Sequence, residues 1–512
     1  MERSHVPAAR AAAVQAGRNV RRAIVVGAGL GGLCTAVRLA RRGWRVTVCE
    51  RSESPGGKMN RWTEGGFQFD TGPSLITMPW VFRELYEDIG ERLDEHLDLL
   101  PLTPLARYVF ADGVRFDWHT DTSRLLETLH ALNPGDAAQW PNFVALGKRL
   151  YELSKKTFLE HPVGHVPPWA NIGTFLNTPW RHFSLRYTHL VNMYFRSPHL
   201  RMVMNRYPTY VGSSPYQCPA MFAVIPYIEH AFGGWHIRGG LYTLIQSLVT
   251  IGERLGVEIK TNATVQCIDT EAGKVTGVTL DGPTHLPAEV VVMNGDASCL
   301  PGLLGDSEGQ GTPRHLSLSG FVMMLGIKRK LPDLLHHNVF FTRDYQKEFS
   351  QLFELRVFPK DPTVYVCVAS KTDASAAPPN GESLFIMANA PASDPSVWTF
   401  AMREEARRRV LARLAASGLT IAECDIHVEK ILTPAHLHES YLMPGGAIYG
   451  AASHGIRNAF LRPAARVRGY AGLYRVGGSG HPGGGTPNVV LSSKITVDLI
   501  ERHEHSTFHE VA

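Results

Sequence analysis

Three glycines and a later glutamate have the spacing of a site that holds a dinucleotide. Gly27, Gly29 and Gly32 follow a G-x-G-x-x-G pattern directly after a short apolar run. This spacing permits a tight turn, a close approach of backbone to a pyrophosphate, and a helix whose N-terminus offers unpaired N–H groups. Glu50 ends the next apolar run, where a carboxylate can accept hydrogen bonds from a ribose diol. An acid here favours NAD or FAD over NADP, because it would repel a 2′-phosphate.

The elements that must position these residues form a strand–helix–strand unit. The pattern predicts a buried parallel strand at residues 23–26, a helix over 31–42 and a second strand at 45–49. A glycine pattern alone is weak, but strand, glycines, helix, strand and acid in register favour a nucleotide. A strand–helix–strand unit without a ligand is the alternative.

Two further glycine-rich stretches could contact the same nucleotide. "RSESPGGKM" and "GFQFDTGPS" follow the first unit at residues 51–59 and 66–74, and taken alone they would be ordinary turn-rich loops. Near the C-terminus, the sequence predicts a strand at 473–476, a turn at 477–479 and a helix that begins at residue 488 or 489. The N-terminus of that helix could favour negative charge on a reduced flavin.

Composition and charge exclude several classes of protein. The 512 residues, with 44% hydrophobic and 19% charged side chains, predict two or three globular units. A net charge of +5 without a long basic block makes nucleic acid a poor partner. The seven cysteines are scattered without a CxxC pair, which predicts reduced cytosolic thiols and no metal site.

No apolar run is long enough to span a bilayer. Residues 1–21 are predicted to be a disordered tail, with an organelle transit peptide as the alternative.

Motifs along most of the chain resemble a known family. The N-terminal glycine unit, "DTGPS" and "VGGSGHPGGGTPNVVLS" together resemble the bacterial carotenoid desaturases of the phytoene-desaturase type, within the FAD-dependent amine oxidase superfamily. Segments 210–248, 336–349, 361–391 and 446–463 are similar to the same family. The resemblance covers residues 22–502 and is nearest to the branch of hydroxycarotenoid 3,4-desaturases and carotenoid oxygenases or ketolases.

The resemblance implies an α/β fold and an FAD site built from separated segments. It assigns residues 22–95, 255–304 and 440–505 to a Rossmann-like FAD-binding domain, and 96–254 and 305–439 to an inserted α+β substrate domain. The implied cofactor-binding residues are Gly27, Ala28, Gly29, Gly32, Glu50, Arg51, Gly57, Lys58, Gly72, Pro73, Ser74, Val265, Gly478, Ser479, Asn488 and Val489. Asn488 departs from the family, which usually has a small or flexible residue there. Since Asn tolerates unusual backbone angles, flavin binding should survive.

The chemistry implied is the removal of two hydrogens from adjacent carbons of a long polyene, one as a hydride to the flavin and one as a proton. His481 is the candidate proton shuttle, and a loop histidine that bonds backbone is the alternative. Tyr449, His454 and Arg462 are candidates to line the cavity. A carotenoid oxygenase or ketolase, or a polyene saturase, would use the same frame. A flavin-binding carotenoid carrier without turnover is the rival from another class.

A polyene substrate resides in lipid, so the resemblance implies a cytoplasmic protein peripherally associated with the inner face of the membrane. Residues 180–210 combine aromatic side chains and arginines, within a helical part at about 150–235 that is expected to face the membrane. The alternative is that these aromatics line the substrate cavity, and the two are compatible if the cavity opens onto the bilayer. The sequence leaves the oligomeric state open.

Overall fold

A five-stranded parallel sheet lies at the centre of the first unit. The computed structural model describes residues 20–163, 185–306 and 315–506. The strands, in spatial order, are Leu473–Arg475, Val290–Met293, Arg22–Val26, Arg45–Cys49 and Glu258–Lys260. All four neighbouring pairs are parallel. The three central strands are rich in β-branched residues, which suits a sheet that is covered on both faces.

Three helices cover one face of this sheet and share a single hydrophobic core: Leu30–Arg41, Tyr242–Arg254 and Thr486–Ser506. We call the first the glycine helix and the last the C-terminal helix. The helix Tyr242–Arg254 lies in the segment 96–254 that was assigned to the substrate domain, and the division at 254/255 stays a prediction. Its apolar stripe, including Leu244 and Leu248, packs into the core of the glycine helix.

A three-stranded antiparallel sheet adjoins the first unit through strands Val265–Glu271, Lys274–Leu280 and His285–Pro287. Its first two strands form a hairpin around the sequence "EAGK". Ala272 and Gly273 turn the chain there with φ of 48° and 77°. This sheet lies within the segment 255–304 that was predicted to belong with the dinucleotide fold.

A seven-stranded sheet forms the second unit. Its strands, in spatial order, are Ile426–Leu432, Ser319–Ile327, Glu382–Ala390, Val364–Cys367, His337–Phe340, Ala106–Val109 and Arg115–Trp118. The strand Ser319–Ile327 is buried along its whole length, and alternate side chains enter two different cores. Helices therefore pack on both faces, as the period of two requires.

Two short ribbons complete the strands: Arg61–Glu64 with Phe67–Asp70, and Leu99–Pro101 with Trp235–Ile237. The remaining α-helices are Pro79–Asp88, Thr122–Leu132, Pro134–Ser154, Tyr187–Tyr194, Pro198–Arg206, Val224–Phe232, Leu300–Leu303, Tyr345–Phe353, Phe400–Ala416, Pro434–Tyr441 and Gly455–Phe460. Single turns lie at Leu93–Glu95, Lys155–Leu159, Tyr207–Val211, Ala220–Ala223, Ala297–Cys299, Ala369–Lys371, Ala374–Ala376, Pro395–Val397, Glu423–Asp425 and Pro444–Gly446. Within the ranges described, none of the helices combines the length and apolar character that crossing a bilayer requires. The tail predicted at 1–21 lies outside the described residues, except for its last two.

Candidate cofactor and active site

The first glycine turn has the backbone geometry that the motif predicts. Gly27 has a φ of +100°, which side chains other than glycine rarely adopt, and Gly29 caps the glycine helix. A Cβ on Gly32 would lie 2.1 Å from the Gly27 carbonyl oxygen, so only glycine lets the helix pack this closely on the strand. The helix begins one residue earlier than predicted, at Leu30.

Glu50 lies beside this turn at the end of the second strand. Its buried carboxylate accepts hydrogen bonds from the Ala28 N–H at 2.7 Å and from the Ser52 N–H at 2.9 Å. These bonds fix the acid next to the glycines, as expected for a ribose-binding acid. Arg51, the next residue, is exposed. Contact of either residue with a nucleotide stays a prediction.

The second glycine doublet packs directly on the first. Gly56 donates from its N–H to the Ala28 carbonyl at 2.9 Å and forms an isolated parallel bridge with Gly29. A Cβ on Gly57 would lie 3.3 Å from the Gly29 Cα. Two stretches that are separate in the sequence therefore form one backbone cradle.

Lys58 extends this cradle toward the C-terminal part of the chain. Its Nζ donates to the Ile448 carbonyl at 2.8 Å, and burial lowers its pKa to about 8. A Cβ on Gly72 would lie 2.0 Å from the Lys58 carbonyl oxygen, so residue 72 must be glycine for this approach. Pro73 and Ser74 follow, and the Ser74 hydroxyl lies 2.6 Å from the Tyr365 hydroxyl of the seven-stranded sheet.

The C-terminal segment closes the same site. A Cβ on Gly31 would lie 3.1 Å from Val489 Cγ1 and 3.4 Å from the Gly477 Cα, so the starts of the glycine helix and the C-terminal helix meet. The C-terminal helix begins at Thr486, two residues before the earlier of the two predicted starts. The second residue of the helix is a proline, which the first turn of a helix accommodates. Asn488, the residue that departs from the family pattern, donates a hydrogen bond from Nδ2 to the Gly484 carbonyl at 2.9 Å. This bond uses its side-chain amide within the C-terminal segment.

The turn at 477–479 connects to the end of the strand Val290–Met293. A Cβ on Gly478 would lie 3.5 Å from the Gly484 Cα, and the Ser479 hydroxyl accepts from the Ala297 N–H at 2.9 Å. Val265 is buried at the opposite end of the site, where the nearby Ala263 N–H donates to the Glu50 carbonyl at 2.8 Å. Contact of Val265 with the cofactor stays a prediction.

Two residues that the sequence analysis did not single out belong to this site. Asn294 donates from Nδ2 to the Gly27 carbonyl at 3.0 Å. Asp296 is buried, and its Oδ2 has no hydrogen-bond partner among the residues described. Both follow a parallel strand, and the carboxyl ends of such strands are where open α/β sheets bind ligands. That position is the signal that could have identified them.

The site fits a flavin dinucleotide on three structural grounds. Two glycine turns leave a backbone cradle without side chains, and two helix N-termini converge on it. The unpaired Asp296 oxygen can accept from a ribityl hydroxyl, because a buried carboxylate oxygen requires a donor. Contact of Lys58 with the cofactor stays a prediction.

His481 is anchored to backbone. It is buried, and its Nε2 lies 2.9 Å from the Phe158 carbonyl and 2.7 Å from the His161 carbonyl. Its ring meets the Phe158 ring edge-on at 4.5 Å, and burial lowers its pKa. These contacts match the interpretation of a loop histidine that bonds backbone, and proton transfer by His481 stays a prediction.

The Arg462 side chain also donates hydrogen bonds to backbone carbonyl oxygens. Its buried guanidinium reaches the carbonyl oxygens of Tyr449 at 3.2 Å and Gly478 at 3.5 Å, and burial lowers its pKa. It therefore ties the segment that contains Tyr449 to the 477–479 turn. A Cβ on Gly484 would lie 2.2 Å from Tyr449 Cδ1, so this ring packs against the turn itself. His454 lies farther away and accepts from the Ser214 N–H at 3.0 Å.

The chain matches known proteins along nearly its whole length. Residues 30–500 match the family model of flavin containing amine oxidoreductases. The chain is 33% identical to the zeta-carotene-forming phytoene desaturase of Myxococcus xanthus, with 95% of each chain covered. It is 34% identical to the 4,4′-diapolycopene oxygenase of a Methylomonas species, with 94% of this chain and 98% of the relative covered. An oxidoreductase structure from Methanosarcina mazei matches 93% of this chain and all of its own, with a TM-score of 0.62 and 17% identity.

These comparisons confirm the predicted fold, the flavin cofactor and the family. The solved structure supports the fold alone, because its identity is low. The relatives at one third identity include both desaturases and oxygenases of carotenoids. The chain belongs to the flavin containing amine oxidoreductase family, in the group that includes these carotenoid enzymes.

Proposed function

We propose that this protein is an FAD-dependent carotenoid desaturase that removes two hydrogens from adjacent carbons of a long polyene. The observation that carries the proposal is the convergence of three glycine-rich segments on one cradle, in a chain that is similar to a phytoene desaturase over 95% of its length. When bound, FAD would supply a two-electron acceptor for the hydride.

The chain's own residues would bind and orient the cofactor. The backbone at Gly29 and Gly57, with the start of the glycine helix, would hold the pyrophosphate. Glu50 would accept from the ribose and Asp296 from the ribityl chain. Arg462 would hold the 477–479 turn in place through carbonyl contacts. The seven-stranded unit would exclude water from the reacting carbons.

The test is pigment analysis in bacterial hosts that accumulate phytoene, neurosporene, hydroxyneurosporene or a C30 polyene. A product lighter by two hydrogens, with absorption shifted to the red, supports a desaturase and identifies its substrate. A product heavier by oxygen assigns an oxygenase or ketolase, and one heavier by two hydrogens assigns a saturase. A Gly32→Val variant in the same hosts is the control without cofactor.

A carrier without turnover is distinguished by the flavin itself. Purified protein that contains FAD is mixed anaerobically with the polyene, and flavin absorption is followed. Bleaching of the oxidised flavin supports the enzyme. Flavin that stays oxidised with every polyene contradicts the proposal and favours the carrier.

We also propose peripheral association with the cytoplasmic face of the membrane, where the substrate resides. Residues 164–184 of the expected membrane-facing part lie outside the described residues. In the remainder, Arg186, Met193 and Arg196 are exposed around the helix Tyr187–Tyr194, and Met193 is 67% exposed. Exposed apolar and cationic side chains together suit an anionic interface.

Flotation with anionic liposomes tests this surface. The triple variant Arg186→Glu, Met193→Asp, Arg196→Glu should lose most of its flotation. A double variant of exposed arginines elsewhere, Arg92→Glu and Arg408→Glu, changes the charge by −4 against −5 for the triple variant and should float like the wild type. Equal flotation of wild type and triple variant would exclude this helix as the docking surface.

A further inference from the structure

Two strands of the seven-stranded sheet bring two histidines and a cysteine together. The strands His337–Phe340 and Val364–Cys367 are antiparallel, and His337 lies directly opposite Cys367. His336 immediately precedes the first strand, and all three residues are buried. One ligand atom from each of the three lies within 4.8 Å of the others. The cysteine spacing predicted no metal site, because this grouping depends on cross-strand register.

In each histidine of this cluster, one ring nitrogen has a hydrogen-bond partner and the other has none among the described residues. Nδ1 of His336 lies 2.8 Å from the Thr372 hydroxyl, and Nδ1 of His337 lies 2.7 Å from the Tyr365 hydroxyl. Both Nε2 atoms are buried without a hydrogen bond to any described residue. The ring centroid of His236 is 4.9 Å from that of His336, and neither His236 nitrogen makes a hydrogen bond within the same part of the chain.

Unpaired polar atoms are rare in protein interiors, so the unpaired nitrogens of these buried imidazoles indicate a ligand. When the hydroxyls of Thr372 and Tyr365 accept from Nδ1–H, each Nε2 presents a lone pair. A cation can accept all the lone pairs at once, and a bonded Nδ1–H is the usual arrangement behind a metal-binding histidine.

The ligand types select the class of cation. Imidazole nitrogen with thiolate sulfur suits Zn²⁺, whereas Mg²⁺ and Ca²⁺ require oxygen ligands.

Nearby charges are compatible with a cation. Asp70 is close enough to act on the cysteine, and Asp373 Oδ2 lies 3.7 Å from His236 Nε2. The guanidinium of Arg206 acts in the opposite direction on the neighbouring histidine. The carboxylate of Glu229 shares a hydrogen-bonded tyrosine with Arg206 and offsets its charge.

We propose that His336, His337 and Cys367 bind a Zn²⁺-type cation, with a water molecule at the fourth position. Zinc ligands at about 2.0–2.3 Å from the metal lie within about 3.8 Å of one another in a tetrahedron, so the side chains approach by about 1 Å. As the metal–sulfur bond forms, the Cys367 S–H bond breaks and its proton passes to buffer.

The first measurement is titration of the purified flavoprotein with Co²⁺ and Zn²⁺. We expect one Co²⁺ per chain, with intense tetrahedral bands to the red of the flavin absorption and a thiolate-to-cobalt transition in the difference spectrum. Zn²⁺ should displace it. A spectrum without sulfur ligation, or no retained metal after dialysis, overturns the proposal without the use of any variant.

Variants then assign the ligands. Cys367→Ser and His337→Gln should weaken Zn²⁺ binding more than tenfold, and Tyr365→Phe about tenfold, because the Tyr365 hydroxyl orients the ring. The matched control is Cys424→Ser, an exposed cysteine, which should keep full affinity. Retained flavin shows that each variant is folded. Equal Zn²⁺ affinity in Cys367→Ser and Cys424→Ser would also overturn the proposal.

Discussion

Asn294 donates a hydrogen bond from its Nδ2 to the Gly27 carbonyl oxygen at 3.0 Å, across 267 residues of chain. The bond joins the end of one parallel strand to the first glycine of the turn after its neighbour. It therefore fixes the turn from outside the local motif. The same amide is 3.2 Å from where a Cβ on Gly29 would lie, so it also limits the second glycine.

Replacing Asn294 with alanine should loosen the glycine turn. Loss of one buried hydrogen bond costs about 1 kcal/mol, so we expect FAD to bind about fivefold more weakly. The measurement is titration of apoprotein with FAD. The control is Asn133→Ala, which removes a helix cap at a comparable cost in stability but lies outside the cradle. Equal FAD affinity in the two variants would contradict this role.

Gly32 should tolerate no side chain. A Cβ there would lie 2.1 Å from the Gly27 carbonyl oxygen, and both atoms belong to rigid backbone. We expect Gly32→Ala to destabilise the protein by about 3 kcal/mol and to be purified without flavin. Gly252→Ala is the matched control, because its nearest neighbour would be at 3.5 Å within a helix, and alanine favours helix. Retention of flavin by Gly32→Ala would show that the helix can shift.

The sequence predicted the local features of the fold well. The strand at 45–49 has the expected bounds, and each end of the glycine helix differs from its predicted position by one residue. These elements could be predicted because glycines and β-branched residues determine the backbone conformation of their own segment. The expected hairpin around "EAGK" is present for the same reason.

Features that depend on packing between distant segments could not be predicted in this way. The apolar stripe of the helix Tyr242–Arg254 specifies burial but not which sheet it covers. Asn294 has no special neighbours in the sequence, and its role comes from a parallel pairing. His337 and Cys367 are ordinary strand residues until the antiparallel register places them opposite each other.

His481 should act as an anchor, and its variants can distinguish this from proton transfer. Because burial lowers its pKa, the ring stays neutral near pH 7 and Nε2–H donates to the carbonyls of Phe158 and His161. His481→Gln keeps a hydrogen-bond donor, so substrate should reduce its flavin at a rate within about threefold of the wild-type rate. Loss of a general base would lower that rate about a hundredfold or more. His481→Ala should lower stability by about 1–2 kcal/mol.

The measurement is anaerobic stopped-flow reduction of the flavin from pH 6 to 8. A hundredfold loss in both His481 variants, with the wild-type pH dependence abolished, would assign proton transfer to His481. A near-wild-type rate of flavin reduction in His481→Gln, with the pH dependence of the wild type, supports the role of His481 as an anchor to backbone.

Glu348 should make the protein less stable as pH rises toward neutrality. Its side chain is 1% exposed and accepts from the Thr363 N–H at 3.0 Å and from the Thr363 hydroxyl at 2.6 Å. Burial dominates, and it raises the pKa of Glu348 from 4.5 to about 7. Between these values the unfolded chain releases the proton that the folded protein keeps, so the free energy of unfolding falls as pH rises through this window.

Glu348→Gln removes this titration and imitates the protonated carboxyl. Between pH 4.5 and 7, wild type should lose about 3 kcal/mol of stability relative to this variant, because folding raises the pKa of the carboxyl from 4.5 to about 7. Urea unfolding across that range measures the difference. Glu405→Gln, on the exposed face of the helix Phe400–Ala416, is the control, and the pKa of Glu405 is lowered by its arginine partners. A wild-type curve parallel to that of Glu348→Gln would show that the buried carboxyl is ionised throughout, and that the hydrogen bonds from Thr363 outweigh its burial.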